Sequence, residues 1–188
     1  MREFAVCLML TVAAATAARP ASRSAAALSG PPAAELEAVD KACDASIRGY
    51  SIDAPLDHLL PTHGMYIEGY GAVFITDVNL VALPPLFGFG GHIAKGELAR
   101  IHDSKMKRLP EVRKLMTQML LAASGTLVSL APDESILLHF NFYTLELEDR
   151  TGLPKSMSVQ GKKRDLLDAA ARKLPVDSVS GMLKVRVE

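Results

Sequence analysis

Apolar residues along this chain recur with two periods, three-to-four and two, and the changes between them mark out the elements. Leu36, Val39, Cys43, Ile47 and Tyr50 stand three or four residues apart and predict a helix with one apolar stripe. Pro31 and Pro32 suit its start, and Gly49 lies near its end. On that stripe Cys43 reads as a small core residue, because a nucleophilic thiol needs a base beside it and no motif here supplies one.

Met65 to Val81 is the strongest strand signal, rich in β-branched and aromatic residues. Gly69 and Gly71 interrupt it around Tyr70, which fits either a tight hairpin or one bent strand. Pro84 and Pro85 end the segment, and a glycine-rich apolar loop follows from Leu86 to His92. The helical period then returns. Leu98, Ile101 and Met106 carry a first part; Val112, Leu115, Met116, Met119, Leu120 and Ala123 carry a second. Pro110 fits the first turn of a new helix, where its missing N–H costs nothing, so two helices are predicted to meet at Leu109. Gly125 is the expected stop.

After Ala131–Glu134 the period is two. Ile136, Leu138, Phe140 and Phe142 face one way, and Leu137, His139, Asn141 and Tyr143 the other, as in a strand with one buried face. Ser156 to Val159 reads as its short partner. Lys162 to Leu174 predicts a helix with Leu166, Leu167, Ala170 and Leu174 inward, stopped by Pro175. Leu183, Val185 and Val187 then alternate with Lys184, Arg186 and Glu188 in a last half-exposed strand. This order predicts an α+β two-layer domain: a mainly antiparallel sheet of about four to five strands packed against three to four helices.

The opening residues follow neither period. Arg2 precedes an apolar run from Phe4 to Ala18, with the small residues Ala15-Thr16-Ala17 before Arg19-Pro20. That pattern predicts a signal peptide over residues 1–18, cut after Ala17 or Ala18. The run is shorter than the roughly 20 apolar residues that span a bilayer, so no transmembrane span is expected in the mature chain. Residues 19–34, rich in Ala, Ser and Pro, read as a flexible tether, and 35–188 as one globular domain. Cys7 leaves with the leader and Cys43 is then alone, while neither Asn79 nor Asn141 opens a glycosylation acceptor. Both features fit a bacterial periplasm, and the chain is expected to be exported, periplasmic or secreted.

Charge changes the picture little. Lys plus Arg and Asp plus Glu number 21 each, so nothing draws the whole chain to nucleic acid. No tryptophan, six Phe and four Tyr leave no base-stacking surface.

Candidate chemistry is sparse. The five histidines carry no His-Glu-x-x-His, His-x-His or Cys-x-x-Cys pattern, so neither a metal nor a cofactor is expected. His92, His102 and Asp103 flank the start of the long helix and are the candidates for a hydrolytic site built from dispersed residues. Ser104 and Lys107 match Ser-x-x-Lys, but the companion Ser-Asp-Asn motif is missing and a solvated helix face explains the pair. The Gly88-Phe-Gly-Gly91 loop matches no phosphate-binding pattern. Its neighbours Leu86, Phe87 and Phe89 would form an apolar tip for a partner. Lys95, Arg100, Lys105, Lys107 and Arg108 form a basic run that would meet anionic lipid or surface polymer, or simply be the solvated side of an amphipathic helix. The leading expectation is a non-enzymatic binding or interaction domain of the cell envelope, whose partner is a protein or an envelope component. A small exported hydrolase and a peripheral binder of anionic surfaces are the two alternatives.

Overall fold

A computed structural model describes residues 30–51, 53, 55–82 and 95–188. The expected leader, most of the expected tether and the expected Leu86–His92 loop lie outside them. The described elements run α1 (Ala33–Arg48), β1 (Asp57–Ile67), β2 (Gly71–Asn79), α2 (Lys95–Thr126), β3 (Ser135–Phe142), β4 (Ser156–Lys162), α3 (Lys163–Ala171), α4 (Val176–Met182) and β5 (Lys184–Val187). The strands form one sheet in chain order. β1–β2, β3–β4 and β4–β5 are antiparallel, whereas the central β2–β3 pair is parallel. The expected α+β two-layer domain is the architecture observed, with a mixed sheet.

Alternation along the strands decides which face is buried. Ala72, Phe74 and Val78, then Ile136, Leu138, Phe140 and Phe142, then Met157 and Val159, form one core with Val39, Cys43 and Ile47 of α1. α2 adds Val112, Leu115, Met116, Met119, Leu120 and Ala123, and α3 adds Leu166. α1, α2 and α3 cover this one apolar face, and α4 packs on α2.

The Met65–Val81 signal resolves into a hairpin. Tyr70 N–H donates to Ile67 O at 3.0 Å, and Gly69 (φ 75°) and Gly71 (φ 130°) take left-handed backbone angles at the turn. Gly71 is also sterically required: a Cβ there would lie 2.0 Å from Ser135 O, where β3 starts beside β2. The first strand begins at Asp57, well before the apolar signal, with Pro61 inside it and register breaks between His58, Leu60 and His63. An edge strand tolerates both. The Thr76 hydroxyl donates to Leu60 O at 3.1 Å across the irregular stretch.

Four expectations are corrected. Pro110 does not start a helix; α2 runs unbroken for 32 residues with Pro110 inside it. Ile101 and Lys105 before the proline and Val112 and Leu115 after it are all buried, so packing on both sides outweighs the lost hydrogen bond. The last predicted helix is shorter and rotated: Lys163, Leu166 and Ala169 face inward, while Leu167 and Ala170 are exposed. Pro175 starts another helix rather than only ending one, and α4 buries Val179 and Ser180. Finally, α1 begins at Ala33 and Pro31 is buried, so the folded body reaches into the expected tether.

Leu166 is 1% exposed and Leu167 38%. Leu166→Ala should therefore cost about 2–5 kcal/mol in chemical denaturation, and Leu167→Ala under about 1 kcal/mol. Equal losses would contradict the helix rotation.

Candidate functional site

α2 carries most of the residues singled out by sequence, but several of its cations turn inward. Lys105 is 1% exposed. Its Nζ lies 2.6 Å from Glu148 Oε2 and donates to Tyr143 O at 3.0 Å. Burial pushes the Lys105 ammonium below its ordinary value, and Glu148 opposes that shift. Arg108 Nη1 donates to the carbonyls of Leu80 and Pro55, and Arg113 Nη2 to Ser180 O at 3.2 Å.

The expected anion-binding set is corrected accordingly. Lys105 is locked in a buried ion pair, and Arg108 holds backbone carbonyls. A long side chain can bury its stem and still bring its charge to a polar partner, which hydrophobic periodicity cannot reveal. Arg100 and Lys107 remain solvent-exposed, with Arg100 3.8 Å from Glu97. Lys95 opens α2.

The hydrolytic candidates are partly brought together. His102 and Asp103 border a depression of about 380 Å³ with Leu98, Ala99, Leu147 and Asp149. His92 lies outside the described residues, as do Leu86, Phe87 and Phe89. His102 Nδ1 sits 2.8 Å from Asp149 O. A carbonyl only accepts, so Nδ1 carries the proton in this contact. Thr151 N–H donates to Asp149 Oδ1 at 2.9 Å and holds that carboxyl below the usual carboxylate range. The depression lies between the first part of α2 and the segment that follows β3, which supplies Leu147 and Asp149. Among the described residues, no hydroxyl or thiol is hydrogen-bonded to His102.

Other titratable groups serve the framework. His58 Nε2 stands 3.2 Å from Asp44 Oδ1, at ion-pair distance but without hydrogen-bond alignment. The same Asp44 oxygen accepts the Thr62 amide at 2.8 Å, tying α1 to β1. Cys43 is buried, and desolvation pushes its thiol up to about 12, which suits a core residue. Among the described residues, no three His, Cys, Asp or Glu side chains converge as metal ligands.

The larger concavity was not visible in the sequence. A groove of about 510 Å³ runs between α2, α4 and the β4–β5 edge. Leu109, Pro110, Met157, Val185 and Val187 give it apolar walls, and Arg113, Lys114 and Asp177 are its charged members. Lys114 Nζ is 3.6 Å from Asp177 Oδ1. One wall is α4, held to α2 by Arg113 and by the Thr117–Ser180 hydroxyl pair at 3.0 Å. Pro175 followed by Asp177 was the available signal, since proline and an acidic first turn favour a helix start.

Among protein-family models, curated proteins and solved structures, none matches the chain. Among the described residues, no helix is long and apolar enough to cross a membrane.

The buried pair gives a direct test. Lys105→Met strands Glu148 and should cost about 3–5 kcal/mol, most of it regained when Glu148→Leu is added. The unfolded chain holds the Lys105 proton more tightly than the folded one. Wild-type stability should thus rise as pH approaches the ordinary lysine value of 10.5, a gain that Lys105→Met lacks in pH-dependent urea titrations.

Proposed function

We propose that this is an exported protein of the cell envelope whose folded domain is a binding module, with the α2–α4–β5 groove as its ligand seat. The groove carries the reading. Its volume of about 510 Å³ falls in the size range of ligand pockets, and it joins apolar walls to a few charged groups. Apolar surface of this kind gains free energy when a ligand displaces its water. The export half of the proposal rests on Arg2, the Phe4–Ala18 run and the small residues at Ala15 and Ala17.

A second reading draws on the His102 depression. An imidazole oriented through Nδ1 by the Asp149 carbonyl presents Nε2 as a base, which is the arrangement a small exported hydrolase would use. The larger groove and the absence of any hydroxyl or thiol bonded to His102 among the described residues favour the binding reading.

Two measurements test the proposal. Intact mass of the protein from fractionated cells should give a chain starting at Ala18 or Arg19 in the periplasmic or secreted fraction; a full-length cytoplasmic chain would contradict export. Gly181 lines the groove, and a Cβ there meets nothing within 4 Å. Gly181→Leu should keep or slightly raise the melting temperature, since glycine is a poor helix former. It should weaken binding of the apolar dye anilinonaphthalene sulfonate about tenfold. Undiminished dye binding would remove the groove as the seat.

A further inference from the structure

We infer that the groove and the adjoining edge of β5 take an extended peptide segment of alternating apolar and acidic residues, added to the sheet as a further strand. This rests on the groove being the ligand seat. The backbone register supplies the first argument. Ser156 and Glu188 exchange both backbone bonds, Ser156 N–H to Glu188 O at 3.2 Å and Glu188 N–H to Ser156 O at 3.1 Å. In an antiparallel pair such residues recur at every second position, so Arg186 and Lys184 also turn their backbone groups toward β4. Val185 and Val187 turn theirs the other way, to the edge that no described strand covers.

The side chains supply the second argument. Val185 and Val187 line the groove, and Val187 is 54% exposed. A strand laid beside β5 would set its inward residues next to these two valines, at the apolar walls formed by Leu109 and Pro110. Its outward residues would lie beside Lys184 and Arg186. Those two cations border a depression on the far side of the sheet with Tyr70, Leu137, Ser158 and Gln160 and no carboxylate. Among the described residues, neither is paired with an acid. Carboxylates at the outward positions of the incoming strand would complete them.

Charge also selects among occupants. A second copy pairing antiparallel through the same edge, centred on Val185, would set Lys184 of each copy opposite Arg186 of the other, and directly opposed like charges destabilise a strand pair. The other free edge, β1, is a poorer template because Pro61 and two register breaks interrupt it. An acidic–apolar strand from another protein is the complementary partner.

The probe is the blocked heptapeptide Glu-Val-Glu-Val-Glu-Val-Glu, titrated into the whole isotope-labelled protein. Saturation should slow amide hydrogen exchange at Val185 and Val187 about tenfold. Methylating the alternate peptide nitrogens that face β5 should weaken binding about tenfold, because main-chain hydrogen bonds carry strand addition. Equal affinity for the methylated peptide, or unchanged exchange at both valines, would overturn strand addition. So would failure of the peptide to bind while anilinonaphthalene sulfonate still binds in a Gly181-dependent way. If neither probe binds, the groove itself is overturned as a seat, and the strand with it.

Discussion

A parallel pair of strands cannot be closed by a tight turn, and the β2–β3 pair at the centre of this sheet imposes a long crossover on everything else. α2 is that crossover. It runs for 32 residues, and its part between Val112 and Ala123 gives the core six buried apolar side chains. A helix this long also passes the ends of several other elements, where carbonyl groups lack partners. Three of its cations meet them: Lys105 the Tyr143 carbonyl, Arg108 those of Leu80 and Pro55, and Arg113 that of Ser180. The same device works in reverse at the far end. Lys163 of α3 donates to Val128 O at 2.9 Å and Leu130 O at 2.6 Å, just past the end of α2. A buried carbonyl left alone costs about 1–3 kcal/mol, so these cations fasten the crossover helix at both ends.

That use of charge bears on function. A basic run on an amphipathic helix is available to an anionic surface only where its charges stay in water. Lys105 and Arg108 are engaged inside the domain, which leaves Arg100 and Lys107 as dispersed exposed charges of small individual effect. The long helix thus acts as a brace. Its first half borders the His102 depression and its middle forms one wall of the groove.

Periodicity in the sequence located α1 and β3, which have one buried face and a clean repeat, while β-branched composition marked the β2 core and alternation marked the half-exposed β5. It failed where side-chain reach or context overrode the repeat. Pro110 looks like a helix start locally, yet buried residues on either side hold α2 continuous. Lys105, Glu148 and Lys163 are charged residues in buried positions, and no pattern of apolar residues marks them. The start of β1, with Pro61 and His63, has the composition of a loop but is fixed in the sheet by its neighbour β2. For the candidate sites, His102 and Asp103 were legible as residue types near one helix start. The groove was not, since it needs α4 and the register of β5, neither of which leaves a strong local mark.

The two concavities differ most in how far their polar atoms are already satisfied. At the His102 end, Lys105 is held by Glu148 Oε2 and Tyr143, His102 by the Asp149 carbonyl, and the Asp149 carboxylate by the Thr151 amide, while the buried Glu148 Oε1 has no partner among the described residues. A ligand entering there has to replace existing bonds with bonds of equal quality, and the net gain per exchange is small. Along the groove the situation is reversed. Valine and leucine side chains face water, and β5 presents unpaired backbone groups beside them. Covering apolar surface yields roughly 25 cal/mol per Å², and an added strand satisfies the edge at the same time. Uncovered apolar surface and an open strand edge therefore lie together on the α2–α4–β5 side of the domain, away from the residues that carry its most conspicuous polar chemistry, and that coincidence is what the proposed binding role rests on.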